Sequence, residues 1–286
     1  YGAQEIRQWY FEVWNEPNLP QFFTGTREDY FALYDASAEA VKEADPAYRV
    51  GGPGTAGLKE GTWIPELIAH CVKNGVPLDF VSTHAYGVDG HLDEFGVYRH
   101  TLKKDQDCII KDVRKARSDV QNSAMPRLPV LFTEWSNSHS SRDNVHDSYV
   151  TAPFILYTLK RCQGIAQSMS YWTFTDIFEE SGPGPAPFHG GFGLMNAQGL
   201  CKPSDYAYRW LCELPENELD TGDEDSYAAV DGGGALHVLL WDYTHPEQDA
   251  DNQDYFIRDL AAKALDGAAV ELAGMESGEY TVETCR

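Results

Sequence analysis

Arg7-Gln8-Trp9-Tyr10-Phe11-Glu12-Val13 runs directly into Trp14-Asn15-Glu16-Pro17-Asn18. The run is aromatic and β-branched, as a buried strand is, and the proline after it has no N–H with which to continue a ladder. Glu16 is therefore expected where a strand ends. Burial among aromatic rings raises a carboxyl pKa and keeps the acid protonated near neutral pH, which suits Glu16 to donating a proton to a leaving group. The plainer reading of Asn-Glu-Pro is a turn that caps the next helix. A second stretch, Phe132-Thr133-Glu134-Trp135-Ser136, repeats the arrangement. Residues 129–132 read as a short buried strand, and Glu134 stands at its C-terminal end beside a tryptophan. Two such carboxylates at two strand ends are what glycoside hydrolysis by a carboxylate pair requires, one as acid and the other as nucleophile or base.

Working outward, residues 27–44 carry Tyr30, Phe31, Leu33, Tyr34, Ala38 and Val41 at near-helical spacing, with Thr26 as N-cap and Asp45-Pro46 as stop. Residues 48–54 form a short strand ending in glycines, and 63–74 an amphipathic helix stopped by Gly75. Residues 78–86 are a strand that ends in His84 and Tyr86. Residues 92–98 read as loop, 101–122 as a long charged helix, 147–161 as a helix and 167–174 as a fifth strand. Strand and helix alternating in this way imply parallel strands with crossover helices. Each functional-looking cluster falls at a strand's C-terminal end: Asn15 with Glu16, His84 with Tyr86, Glu134, and Trp172 with Asp176, Glu179 and Glu180. That is where a (β/α)8 barrel carries its active site. An open doubly wound sheet also binds ligands at strand ends, but no glycine-rich phosphate loop is present.

From about Tyr206 the pattern changes. A helix end runs to Leu214, an acidic loop covers 215–225, and short antiparallel strands are expected at 227–230, 235–243 and 254–260. Asp231-Gly232-Gly233-Gly234 supplies a hairpin turn, and 280–282 begins another strand.

Composition narrows the partners. The chain of 286 residues has 45 Asp and Glu against 22 Lys and Arg, a formal charge of -23, which excludes nucleic acid and anionic membrane surfaces. A neutral substrate fits that charge, and the 7 Trp and 16 Tyr suit stacking on the apolar C–H faces of sugars. No apolar run is long enough for a membrane span. The six Cys have no ligand spacing and read as reduced thiols. The His residues form no paired-ligand motif, so neither metal nor cofactor is called for. His139 and His146 are expected in a solvated loop, and His189 either shapes the pocket or stiffens its loop. Glu12 is either a charge inside the barrel or a structural partner of an arginine, the second being preferred. The sequence does not open with Met, which leaves the compartment open with the cytoplasm favoured.

With Trp-Asn-Glu-Pro-Asn at 14–18, Thr-His-Ala-Tyr at 83–86, Phe-Thr-Glu-Trp at 132–135 and Tyr-Trp-Thr-Phe-Thr-Asp-Ile-Phe-Glu-Glu at 171–180, the sequence resembles the β-xylosidases of glycoside hydrolase family 39. The resemblance runs from about Phe11 to Leu211. It implies a (β/α)8 TIM barrel, strands four to eight of which occupy 1–212, and a partial C-terminal antiparallel β-sandwich-like domain over 213–286. It further implies a retaining enzyme that releases β-D-xylose from the non-reducing ends of xylo-oligosaccharides. Glu16 would be the acid/base and Glu134 the nucleophile, with Asn15, His84, Tyr86, Trp172, Glu179 and Glu180 around the sugar. A cis peptide between Trp172 and Thr173 is also expected, as in related barrels. The family's first three barrel strands and the end of its sandwich are missing, so the chain reads as the central piece of a longer enzyme. A homo-oligomer is left open. The alternatives are an α-L-iduronidase-like enzyme, which would want a basic residue where Glu179 and Glu180 stand, and a catalytically silent sugar-binding fragment.

Overall fold

The computed structural model describes residues 1–58, 61–178, 180–258, 267–275 and 277–285. The elements begin with α1 (Ala3–Ile6), β1 (Tyr10–Glu12), α2 (Arg27–Ala44), β2 (Arg49–Thr55), α3 (Trp63–Asn74) and β3 (Phe80–Tyr86). There follow β4 (Val88–Leu92), β5 (Tyr98–Leu102), α4 (Cys108–Gln121), β6 (Val130–Ser136), α5 (Thr151–Cys162) and β7 (Ser168–Tyr171). The last are α6 (Pro203–Glu213), β8 (Asn217–Leu219), β9 (Ser226–Val230), β10 (Leu236–Leu240) and α7 (Asn252–Phe256).

Local signals set these bounds. Thr26 and Asp29 close a reciprocal capping box at the start of α2, and Gly75 ends α3 at a φ of 70°. Strands β1, β2, β3, β6 and β7 form one sheet in that order, and each neighbouring pair is parallel. Tyr30 and Tyr34 of α2, Ile64 and Leu67 of α3, Val113 of α4 and Ile155 of α5 bury against Val50, Val81, Val130 and Phe132 of the strands in one core. Gly51 has no room for a side chain, since a Cβ would stand 2.3 Å from the Phe80 carbonyl oxygen. The sheet curls. Thr133 of β6 donates to Glu12 of β1 at 2.8 Å although β2 and β3 lie between them. This is a TIM-barrel-type fold carried by five parallel strands. Beside it β8, β9 and β10 make an antiparallel sheet, with Leu239, Trp241 and Tyr243 packed against the barrel core.

Several expected bounds are corrected. The helix expected from 101 begins at Cys108, because Tyr98–Leu102 pairs antiparallel with Val88–Leu92. The Asp93 side chain closes that hairpin by accepting from the N–H groups of Phe95 and Val97. The helix expected from 147 starts at Thr151, after a 3-10 turn over Asn144–Asp147. The strand expected at 254–260 is instead the short helix α7, which Asp251 caps by accepting from Asp254 N–H. Residues 259–266 lie outside the described residues, and 280–282 hold no regular structure. The first strand is shorter than the aromatic run, because the turn that follows α1 takes Arg7 and Gln8, with Gln8 N–H donating to the Glu5 carbonyl and Trp9 N–H to that of Ile6.

Asp176, grouped by sequence with the strand-end cluster, belongs to the scaffold. The fully buried Lys202 meets Asp176 Oδ2 and Asp147 Oδ1, each at 2.8 Å, and donates to the Gly191 carbonyl at 2.8 Å. The ammonium thus pins the long segment after β7 to the barrel. Removing one partner of such a pair strands buried charge and typically costs about 3–5 kcal/mol. Lys202→Met is expected to lower the unfolding free energy by about that amount in urea titrations. A loss below ~1 kcal/mol, the range of an exposed pair, would contradict the role given to Lys202.

Candidate active site

Three strand ends meet on the concave side of the sheet. Glu16 follows β1, His84 and Tyr86 end β3, and Glu134 lies near the end of β6. The parallel register sets His84 beside Glu134 and Tyr86 beside Ser136. Glu16 arrives by a tight turn in which Trp14 has a φ of 70° and Glu16 of 45°. Such left-handed backbone is costly for residues with a Cβ and persists only where surroundings hold it. Here Glu16 N–H donates to the Gly54 carbonyl at 2.9 Å, Trp14 Nε1 to the Phe22 carbonyl at 3.1 Å, and Ala56 N–H to Asn18 Oδ1 at 2.9 Å. The turn leaves the Glu16 side chain buried and facing the imidazole of His84.

His84 joins the two carboxylates. Its Nδ1 lies 2.8 Å from Glu16 Oε1 and 3.4 Å from Glu134 Oε2, so this nitrogen carries a proton. Tyr86 donates its hydroxyl to Glu134 Oε2 at 2.6 Å. One oxygen of each carboxylate and the imidazole nitrogen all fall within 4.8 Å of one another. Carboxyl groups ~5–5.5 Å apart suit a retaining glycosidase, whereas an inverting one needs ~6.5–9.5 Å to seat a water.

The electrostatics follow from this packing. Burial presses the His84 imidazolium toward deprotonation, but the Glu16 hydrogen bond and the charges of Glu134, Glu16 and Glu12 more than offset it, so its pKa lies above the ordinary value. Burial pushes the Glu134 carboxyl up, Glu16 and Glu12 push the same way, and His84 and the Tyr86 hydroxyl oppose them without reversing the rise. The sequence expects the raised carboxyl at Glu16, whereas the rise that the structure shows is at Glu134.

Glu180 is exposed at the mouth, and its carboxyl is pushed up by partial burial and then by the charge of Glu16. Glu179 lies outside the described residues. Trp172 flanks the site, its N–H donating to the Trp135 carbonyl at 3.0 Å and its ring edge-on to Phe178, and a cis peptide joins it to Thr173. Asn15 is half-buried beside Glu16. Neither Asn15 nor Trp172 is hydrogen-bonded to the four residues that the structure does link, Glu16, His84, Tyr86 and Glu134.

The other histidines separate by packing. His146 is buried rather than solvated, because its two ring nitrogens reach the Gly190 and Ser138 carbonyls at 2.9 and 3.0 Å. His189 meets the Ala186 carbonyl at 2.9 Å and stiffens its own loop. His139 is exposed and stands edge-on to the Tyr86 ring. Glu12, preferred by sequence as a partner of an arginine, instead accepts from Thr133. Its position on the strand signals an inward side chain, but no sequence pattern reveals a partner so distant in the chain. The spacing of Glu16, His84 and Glu134 would admit a small cation, yet their facing atoms are committed to one another and to Tyr86. They are read as reacting groups. A cavity of about 440 Å³ between α5, α6 and β9 contains none of them.

Residues 1–236 match the family model described as glycosyl hydrolases family 39. The chain belongs to this family. A β-xylosidase of Caldicellulosiruptor saccharolyticus is 45% identical over 234 residues, which are 81% of this chain and 46% of the relative. The crystal structure of the GH39 enzyme from Xanthomonas axonopodis pv. citri matches with a TM-score of 0.87 at 50% identity, covering 91% of this chain and 51% of that one. A monomeric β-xylosidase from Caulobacter crescentus CB15 matches with a TM-score of 0.86 at 48% identity, covering 90% of this chain and 52% of that one. The chain thus spans about half the length of these relatives.

The Tyr86 hydrogen bond favours the ionised form of Glu134 and so holds its proton affinity down. In Tyr86→Phe the Glu134 pKa rises further, and the acid limb of the kcat/KM profile of the full-length protein moves to higher pH. The rate falls by about 10- to 100-fold, as loss of a hydrogen bond to a charged group worth ~1.5–3 kcal/mol implies. An acid limb that stays in place would contradict the role of the hydroxyl.

Proposed function

We propose that the full protein is a retaining β-xylosidase that releases β-D-xylose from the non-reducing ends of xylo-oligosaccharides. The observation that carries this reading is the single imidazole that holds both carboxylates, Glu16 at 2.8 Å and Glu134 at 3.4 Å. In the first step a Glu134 oxygen attacks the anomeric carbon while Glu16 protonates the departing glycosidic oxygen, giving a xylosyl ester and free alcohol. In the second, Glu16 takes a proton from water, the water oxygen attacks the same carbon, and Glu134 leaves as carboxylate. Two inversions at one carbon restore the β configuration. Asn15 is assigned to the sugar 2-hydroxyl, and His84, Tyr86, Trp172, Glu179 and Glu180 to the remaining surface of the xylose.

The substrate class rests on the relatives named β-xylosidases. An α-L-iduronidase-like activity is disfavoured because its anionic substrate would meet a mouth carrying Glu180 beside two carboxylates. Residues 1–212 act in this reading as the catalytic barrel portion and 213–286 as an accessory β-rich part. A homo-oligomer draws no support from the Caulobacter enzyme, which is described as monomeric. No helix among the described residues is long and apolar enough to cross a membrane.

The test is hydrolysis of p-nitrophenyl β-xyloside by the full-length parent and by two variants with added azide. Azide is expected to rescue Glu134→Gly by attacking from the vacated face, yielding α-xylosyl azide. It is expected to rescue Glu16→Gly at the second step, yielding the β-azide. No turnover by the folded parent, or the opposite assignment of azides, would overturn the reading.

A further inference from the structure

Glu12 stands on β1 four residues before Glu16 and is half-buried on the concave side of the sheet. Its Oε1 accepts from Thr133 Oγ1 at 2.8 Å, and Thr133 directly precedes Glu134. The intervening strand makes way for it: Gly54 has a φ of 58°, and a Cβ there would stand 3.0 Å from both Cδ and Oε1 of Glu12. Among the described residues no Lys, Arg or His forms an ion pair with Glu12. Among the described residues, this third carboxylate beside the catalytic pair is thus held by the Thr133 hydroxyl. Thr133 would donate equally to a neutral glutamine at this place, while a carboxylate here costs desolvation and repulsion from Glu134. The retained charge calls for a use that the hydrogen bond does not supply.

The titratable groups that feel the Glu12 charge are Tyr30 from α2, His84 from β3 and Glu134 from β6. We propose that Glu12 is a positioning residue of the reaction, whose carboxylate fixes Thr133 beside Glu134 and whose charge keeps one proton resident on the Glu16–His84–Glu134 cluster. The proton is then in place when a glycosidic oxygen arrives, even though burial alone would expel it from the imidazole. The charge of Glu12 raises the proton affinity of both His84 and Glu134. Removing it lowers both, so the two limbs of the pH profile slide together toward acid.

This inference rests on the glycosidase reading, and its test keeps the two apart. The full-length protein is compared with Glu12→Gln and Glu12→Asp by the pH dependence of kcat/KM on an aryl β-xyloside and by 15N NMR titration of the His84 ring. Glu12→Gln is expected to move both limbs and the His84 titration to lower pH by about half to one unit, the scale of a unit charge several ångströms away in a partly buried site. Glu12→Asp keeps the charge and leaves the limbs in place, with kcat lowered because Thr133 is released. Limbs and a His84 titration unmoved in a folded Glu12→Gln would overturn the proposal, as would a parent His84 that titrates at or below the ordinary imidazole range. An inactive parent would sink the glycosidase reading instead, and the His84 titration would still decide the part played by Glu12.

Discussion

Two like charges held around one buried imidazole set the terms for this structure. At ~5 Å and an effective dielectric near 20, two ionised carboxylates repel by about 3 kcal/mol, a large fraction of the stability of any domain. The Nδ1 proton of His84, 2.8 Å from Glu16 and 3.4 Å from Glu134, turns that repulsion into two charge-assisted contacts. Nothing in the local sequence around either glutamate brings this about. It requires β1, β3 and β6 to lie in one parallel sheet and the sheet to curl, so that residues from distant parts of the chain share a few ångströms.

The scaffold bears the cost of that arrangement at identifiable places. Left-handed backbone at Trp14 and Glu16 is tied to β2 by the Gly54 carbonyl and to the following loop by the Trp14 ring. Glycine at 51 lets the strands approach, and glycine at 54 leaves space for Glu12. On the far side of the site, the long segment after β7 has little regular structure, and the buried Lys202 between Asp147 and Asp176 holds it. Strained turn, glycine-lined strand and buried ion pair are three ways of holding polar chemistry inside a barrel that would otherwise be filled with apolar side chains.

Much of this was legible in the sequence, for physical reasons. Strong periodicity with clear caps, as at Thr26 and Gly75, marks helices because those residues satisfy orphan backbone groups locally. The strand ends were legible because Glu16, His84 and Glu134 interrupt apolar runs. The β4–β5 hairpin was not, since Tyr98–Leu102 mixes polar and apolar residues and its charged continuation mimics a helix start. The short helix at Asn252–Phe256 turns on one aspartate cap, a weak local signal. Asp176 and His146 looked functional or solvated because sequence shows residue type and not partner. Their roles are fixed by Lys202 for Asp176, and for His146 by the carbonyls of Ser138 nearby and of Gly190 far along the chain. Glu12 failed for the same reason, its partner Thr133 being a neighbour only after the sheet has curled.

The proposed reaction turns on one chemical event, the formation of an ester between a sugar and Glu134. The most direct measurement is to treat the full-length protein with an activated 2-deoxy-2-fluoro-β-xyloside, which slows hydrolysis of the ester more than its formation, and to map the labelled peptide by mass spectrometry. The account predicts a single 2-fluoroxylosyl group on Glu134 of the Phe-Thr-Glu-Trp segment, absent after Glu134→Gln. A label on Glu16, or turnover of the parent substrate with no trapped ester, would contradict it.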